Sequence, residues 1–376
     1  MDNWTENSLE QLLAYEQPTP YIVKSTDYDD KYEIPVLTAG KSFILGYTSE
    51  EFGIYNSLPV IIFDDFTTAT QYVDFPFKVK SSAMKILRAN TELVLPKYIF
   101  YRMQIIQFDS STHKRYWIQQ YSKIKIQIPP ISEQKRIVGR IEELLSQLDS
   151  GVETLKKIKQ QLAVYRQAVL KEAFNDITNS TTMGDLASMI DPQPSHRTPP
   201  EVAGGVPYIG VGDINYDEKN IDLQTARKVS PTVLKEHIER YTLREGDFIM
   251  GKIGTIGKPY RVPLPQNYAL SANVILIQPN NEKVIPDFLF WQFSSPLVTK
   301  QLTEGAAATS QPAFGIKKAR LLSIRMCAFE KQNKIVQEIE SRLSICDSIE
   351  KTVDAALRQA EAMRQSVLKN AFEGRV

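Results

Sequence analysis

The chain has 376 residues, 42% hydrophobic and 24% charged, with a formal net charge of +1 at neutral pH. That length allows two domains with cores of their own. No apolar run approaches a membrane span, and the opening MDNWTENSLEQ is not a signal peptide. Cys327 and Cys346 have no CxxC or histidine cluster beside them, so they fit small core positions in a reducing cytoplasm better than a metal site or a nucleophile.

Residues 1–132 mix short β-rich runs, such as LPVIIFDDF, with short helices and predict an α/β domain. Little sequence precedes Leu9, so its opening strand is expected to be truncated. In Lys78-Val-Lys-Ser-Ser-Ala-Met-Lys85, alternating Lys78 and Lys80 could face phosphate, with Ser81 and Ser82 as donors. His113-Lys-Arg-Tyr-Trp117 sets three donors beside two aromatics, a mix common where protein meets nucleic acid, although a solvated loop explains it as well. The alternation Ile124, Ile126, Ile128 predicts a closing strand.

Over 133–174, apolar residues recur at Ile137, Ile141, Leu144, Leu148, Val152, Leu155, Ile158, Leu162, Tyr165 and Val169, in steps of three and four with no proline. That is one helix of roughly 60 Å with one apolar stripe, and such a helix needs a partner.

Residues 175–330 predict a second α/β domain related to the first. Val206-Pro-Tyr-Ile-Gly-Val-Gly212 parallels Ile34-Pro-Val-Leu-Thr-Ala-Gly40, and Ile285-Pro-Asp-Phe-Leu-Phe-Trp-Gln292 parallels Leu95-Pro-Lys-Tyr-Ile-Phe-Tyr-Arg102. Leu270-Ser-Ala-Asn-Val-Ile-Leu276 parallels Ser81-Ser-Ala-Met-Lys-Ile-Leu87 more loosely, and Leu322, Ile324, Met326 repeat the closing strand. Pro192 to Pro200 is expected to form a rigid loop presenting Ser195, His196 and Arg197. Its Asp191-Pro-Gln-Pro194 lacks the stacking aromatic of a methyltransferase DPP[YF] tetrapeptide. Gly251-Lys-Ile-Gly-Thr-Ile-Gly-Lys258 is not a phosphate loop, because Pro259 stands where a magnesium-ligating Ser or Thr is needed. A glycine-permitted turn carrying Lys252 and Lys258 toward an anionic backbone fits it better.

Residues 331–372 repeat 133–174 without a gap at an offset of 198, with 18 of 42 positions identical. The second stripe runs Ile335, Ile339, Leu343, Cys346, Ile349, Val353, Leu357, Ala360, Met363, Val367. An internal duplication follows. Each helix follows a domain, so a pseudo-twofold axis would run the pair antiparallel as a rigid spacer. The segment charges are −2 for 1–132, +2 for 133–174, 0 for 175–330 and +1 for 331–376, which together make +1. Neutral domains that bind DNA would need basic partner subunits.

This arrangement resembles the specificity subunit of a type I restriction-modification enzyme. Pro129-Pro-Ile-Ser-Glu-Gln-Lys-Arg-Ile-Val138, Ile141-Glu-Glu-Leu-Leu145, Arg166-Gln-Ala-Val-Leu-Lys-Glu-Ala-Phe174 and Ala371-Phe-Glu-Gly-Arg375 resemble the family's spacer and ending. Leu37-Thr-Ala-Gly-Lys41, Asp64-Asp-Phe-Thr-Thr68 and Lys80-Ser-Ser-Ala-Met-Lys85 are similar to recognition domains of the type IC group. Arg244-Glu-Gly-Asp-Phe248 and Gly251-Lys-Ile-Gly254 resemble pieces of a second such domain.

The resemblance implies an α/β chain, pseudo-twofold overall. Two tandem target-recognition domains (1–132 and 175–330) would be separated by two long helices (133–174 and 331–376) packed as an antiparallel coiled coil. Each domain would read half of a bipartite duplex in the major groove, and the helices would set the spacing of the halves. The expected DNA-binding residues of the first domain are Lys41, Thr67, Thr68, Lys78, Lys80, Ser81, Ser82, Lys85, His113, Lys114, Arg115 and Tyr116. Those of the second are Ser195, His196, Arg197, Lys252, Thr255, Lys258, Tyr260, Arg261 and Lys317.

The chain would be cytoplasmic and non-catalytic, binding neither metal nor cofactor. Its expected partners are double-stranded DNA, two methyltransferase subunits using S-adenosylmethionine, and a restriction-motor subunit using ATP and Mg, with no membrane. Alternatives are a structural coiled-coil adaptor without sequence-specific DNA contacts, and the specificity subunit of a methylation-only system.

Overall fold

A computed structural model describes residues 3–38, 42–111, 114–195, 197–216, 220–252, 256–306 and 314–374. They divide into two compact units, residues 3–155 with 355–374, and residues 156–354.

The first unit opens on β1 (Thr5–Ser8), one helical turn α1 (Leu9–Leu12) and β2 (Leu13–Glu16). The turn starts where it does because Ser8 and Gln11 form a capping box. Then follow β3 (Ile34–Leu37), β4 (Ile44–Thr48), β5 (Val60–Asp64), β6 (Thr70–Val73), β7 (Lys78–Val79), β8 (Met84–Ala89), α2 (Pro96–Met103) and β9 (Lys125–Ile128). One antiparallel sheet has the order β2-β8-β5-β6, and a second has the order β4-β3-β7, with β3 and β7 parallel. β5 reads VIIFD and is buried throughout, as a strand covered on both faces must be. β9 pairs antiparallel with β1 along its whole length and leads into α3 (Ile131–Asn175).

The second unit repeats this plan. It runs β10 (Ser180–Thr182), α4 (Met183–Leu186), β11 (Ala187–Ile190), β12 (Val206–Ile209), β13 (Ile214–Asn215), β14 (Asn220–Ile221), β15 (Lys228–Val229), α5 (Pro231–Arg240), β16 (Phe248–Gly251), β17 (Tyr260–Arg261), β18 (Ala269–Leu270) and β19 (Val274–Pro279). It closes on α6 (Pro286–Phe293), α7 (Pro296–Ala306), α8 (Ile316–Arg320) and β20 (Ser323–Arg325), before α9 (Phe329–Phe372). Its sheets have the orders β11-β19-β16-β17 and β15-β12-β18, the latter with β12 and β18 parallel. β20 pairs with β10 as β9 pairs with β1.

The weak sequence parallels therefore fall on equivalent elements: β3 with β12, β8 with β19, α2 with α6. The opening strand of the first domain is not truncated. β1 has four residues and β10 has three. α5, α7 and α8 have no counterpart among the described residues of the first domain.

The two long helices pack antiparallel within each unit. In the second unit Lys159 meets Asp354 at 2.9 Å, Arg166 meets Asp347 at 2.7 Å and Glu350 at 2.8 Å, and Glu172 meets Arg342 at 3.0 Å, one helix stepping forward as the other steps back. In the first unit Asp149 pairs with Arg364 in the same register. The apolar stripe is buried at Ile137, Ile141, Leu162, Val169, Ile339, Leu343, Cys346 and Val353. Three expected stripe positions, Tyr165, Ile349 and Met363, instead face outward. Near the first two, Arg166 and its carboxylate partners lie in the seam.

At their ends the helices join the domain cores. In the first unit Leu368 and Phe372 pack with Ile137, Ile141, Tyr98 and Leu87. In the second, Phe174 packs with Ile335, Ile339, Phe288 and Ile277.

Candidate nucleic-acid interface

In the first domain, three loops meet at Asp65. The β5–β6 turn contains it, the Asp65 N–H donates to the carbonyl of Ala83 at 3.2 Å, and its own carbonyl accepts from the Tyr116 N–H at 3.0 Å. One Asp65 carboxylate oxygen also accepts from the Trp117 N–H at 2.8 Å. The connection keeps Thr67, Thr68, Ser81, Ser82, Lys114 and Arg115 on neighbouring loops, with Thr67, Ser81, Lys114 and Arg115 exposed. Thr68 adopts φ +62°, and the Thr67 hydroxyl donates to Asp64 at 2.6 Å, so the turn is tightly wound. Lys80 is half-buried, its ammonium 3.3 Å from the Tyr28 hydroxyl and 5.6 Å from that ring's centroid.

Three expected DNA contacts are core residues. Lys78 is 2% exposed. Its ammonium is paired with Glu50 at 3.0 Å and donates to the carbonyls of Phe52 and Gly53. Burial opposes ionisation of Glu50, but the Ser25 N–H, Lys78 and the Lys24 N–H outweigh it and hold the carboxyl below its usual range. Lys85 is 1% exposed, 3.5 Å from Asp65 and 3.3 Å from Gln17. A buried ammonium needs an anion and acceptors; these lysines point inward because Glu50 and Asp65 supply them. Tyr116, at 2%, is likewise core, its ring edge-on to Phe108. Lys41 and His113 lie outside the described residues.

In the second domain, Ser195 and Arg197, on the segment that follows β11, are exposed to solvent. Four contacts anchor that segment. Asp191 pairs with Lys252 at 2.7 Å, Arg240 donates to the Pro192 carbonyl at 2.7 Å, Arg227 donates to that of Pro199 at 3.0 Å, and His237 holds Gln193 at 2.8 Å. His237 is 1% exposed, and its other ring nitrogen lies 2.9 Å from the Tyr241 hydroxyl. Burial, helped by the Arg240 charge, lowers its pKa to about 4, so the ring is neutral near pH 7.

Lys252 is therefore a loop anchor, not a free phosphate ligand. Arg261 is also engaged, paired with Asp287 at 2.6 Å and stacked 4.1 Å over the Phe290 ring. Lys258 is exposed and sits 5.4 Å over Tyr216, whose ring lies edge-on to half-buried Tyr260. Lys317 is exposed on α8. His196 and Thr255 lie outside the described residues. The Arg244–Phe248 motif is a turn: Gly246 adopts φ +88°, and Asp247 accepts from the Arg244 N–H at 2.8 Å.

Sequence reasoning missed Glu50, Asp65, Gln193, His237 and Arg240. Only the i, i+4 spacing of His237 and Tyr241 was a local signal. Among the described residues no group of three or more His, Cys, Asp or Glu side chains could hold a metal, and no helix is long and apolar enough to cross a membrane.

A family model for the type I restriction modification DNA specificity domain matches residues 1–164 and 181–359. The chain belongs to that family. The specificity subunit of the type I restriction enzyme EcoR124I/EcoR124II from Escherichia coli is 46% identical over 177 residues, 43% of this chain and 43% of its own length. The EcoBI specificity subunit from Escherichia coli is 28% identical over 274 residues, 66% of this chain and 57% of its own length. These matches span about half the length of each relative.

Two solved structures share the fold. One chain, from work on complex assembly and conformational transition of the type I R-M system, superposes with a TM-score of 0.70 at 16% identity, covering 100% of this chain and 99% of that one. The HsdS subunit from Thermoanaerobacter tengcongensis superposes with a TM-score of 0.50 at 15% identity, covering 100% and 98%. The family's specificity domain thus occurs twice here, each copy ending in a long helix.

Proposed function

We propose that the chain is the non-catalytic, cytoplasmic DNA sequence-recognition subunit of a type I restriction-modification complex. Residues 1–132 and 175–330 each read one half of a bipartite duplex target. Residues 133–174 and 331–376 dock two methyltransferase subunits, and a restriction-motor subunit joins them. S-adenosylmethionine, ATP and Mg belong to those partners.

The observation that carries this reading is the repeat of one topology with different loops. Thr67, Ser81, Lys114 and Arg115 lie on exposed loops of the first copy, and Ser195, Arg197 and Lys258 lie on exposed loops of the second. Equivalent frames with unlike loops suit two different half-sites. The net charge of +1 supports a shared interface in which partner subunits supply much of the phosphate contact.

The test is a gel shift of the chain with and without co-expressed methyltransferase, followed by methylome sequencing of the host. Expected are tight specific binding only with the partner and adenine methylation at one split sequence. Tight, salt-resistant specific binding by the isolated chain would count against the shared interface. A complex with no sequence preference would leave the chain a structural adaptor.

A further inference from the structure

The polar chain behind Ser195 has a direction. The Gln193 amide nitrogen lies 2.9 Å from the Ser195 hydroxyl oxygen and 3.4 Å from the Arg197 carbonyl oxygen. A carbonyl only accepts, so the amide nitrogen must be the atom facing it, and the amide oxygen faces His237. That oxygen also only accepts. His237 therefore carries its proton on Nε2 and donates to Gln193 at 2.8 Å, while Nδ1 accepts from the Tyr241 hydroxyl at 2.9 Å.

Every donor thus points one way, from Tyr241 through His237 and Gln193 to Ser195. The Ser195 oxygen accepts from the Gln193 amide and from the Arg197 N–H at 3.4 Å, which uses both lone pairs. What remains is its O–H. Ser195 is exposed, and among the described residues no acceptor for that proton is present, so the O–H is open to one from outside the loop. Aligned hydrogen bonds polarise one another, which makes the terminal O–H a better donor.

We infer that Ser195 is a dedicated hydrogen-bond donor to an acceptor on the target DNA. Gln193 and His237 are positioning residues that fix its polarity. This rests on the reading of the chain as a DNA-recognition subunit. The shared acceptor chemistry is an oxygen or nitrogen lone pair: a phosphate oxygen, or a base-edge acceptor such as guanine O6, purine N7 or thymine O4.

The experiment uses the complex with its methyltransferase subunits and a set of duplexes carrying each single-base change in the half-site read by the second domain. Ser195→Ala is expected to cost about three- to tenfold, as one hydrogen bond would. Loss confined to one base position identifies a base edge, and equal loss on all duplexes identifies a phosphate. Ser195→Thr, which keeps the hydroxyl, restores binding. Gln193→Ala causes the same loss, and the Gln193→Ala/Ser195→Ala double variant is no worse than Ser195→Ala alone; a loosened loop would instead disturb Arg197 as well and make the double variant worse.

Unchanged affinity and discrimination in Ser195→Ala would overturn the inference while leaving DNA recognition intact. Additive losses in the double variant would overturn the relay. A wild-type complex that prefers no sequence would overturn the underlying reading and the inference with it.

Discussion

Gln134 and Gln332, 198 positions apart, make equivalent hydrogen bonds in their respective domains. Gln134 accepts from the Leu95 N–H at 2.8 Å and donates to the Pro129 carbonyl at 2.9 Å. Gln332 accepts from the Ile285 N–H at 2.9 Å and donates to the Cys327 carbonyl at 2.8 Å. Leu95 and Ile285 immediately precede the proline-initiated helices α2 and α6, and both glutamines are at most 1% exposed. Each amide ties the start of a long helix to the start of a domain helix, satisfying groups that would otherwise be buried and unpaired. Gln134→Leu or Gln332→Leu should destabilise the protein by about 3 kcal/mol, because at least two buried backbone groups lose their partner. Denaturant unfolding of each variant measures it; a change within about 0.5 kcal/mol would contradict the assigned role.

Lysines of the first domain should separate into two classes. Lys85→Ala leaves the Asp65 carboxylate buried without its cation, and should cost about 3–5 kcal/mol of stability without altering the salt slope of DNA binding by the folded complex. Lys114→Ala or Arg115→Ala should leave stability nearly unchanged and flatten that slope by about one for each phosphate no longer neutralised. Thermal unfolding together with binding across a salt series distinguishes them. A flattened slope in Lys85→Ala would mean that its ammonium reaches the DNA.

His237 predicts a pH dependence. Its folded pKa, near 4, lies below the ordinary 6.5, so between those values the unfolded chain binds a proton that the folded chain does not. The stability it contributes is complete above about pH 6.5 and is lost as pH falls toward 4. His237→Gln should flatten the dependence of the melting temperature on pH across that window. An unchanged slope would show that another group titrates there.

Arg166 bridges the helix pair through Asp347 and Glu350 and is only partly exposed. Arg166→Ala should cost about 1 kcal/mol, and less in high salt. Arg166→Glu should cost more, since it sets like charges against each other. Urea unfolding at low and high salt tests both. Equal stability of all three proteins would mean that the seam is held by its apolar residues alone.

The long helices, the closing strands and the repeat were legible because their signals are local: apolar spacing of three and four, alternation of two, and matching segments. The fate of single cations was not. Lys78 and Lys85 have the same local pattern as surface lysines, and only the fold brings Glu50 and Asp65 to them. Lys252 and Arg261 were misread for the same reason, their partners Asp191 and Asp287 coming from other segments. Tyr165 and Ile349 show a subtler limit. Helical spacing defines a stripe but not which of two adjacent positions the partner helix covers, and here the seam takes in Arg166 instead. The loop around Ser195 was recognisable from its prolines, whereas its anchors on α5 were not.

The two compact units do not coincide with the two halves of the chain. The first half sends Phe174 into the core around Phe288, and the second half sends Phe372 back against Tyr98, whose ring lies 5.2 Å away. A nick in the connection between Asn175 and Ser180 therefore does not release a free domain. Each fragment completes a core begun by the other, in two interlocked places. Cleavage there, or expression as two separate polypeptides, should give fragments that travel together until denaturant separates them.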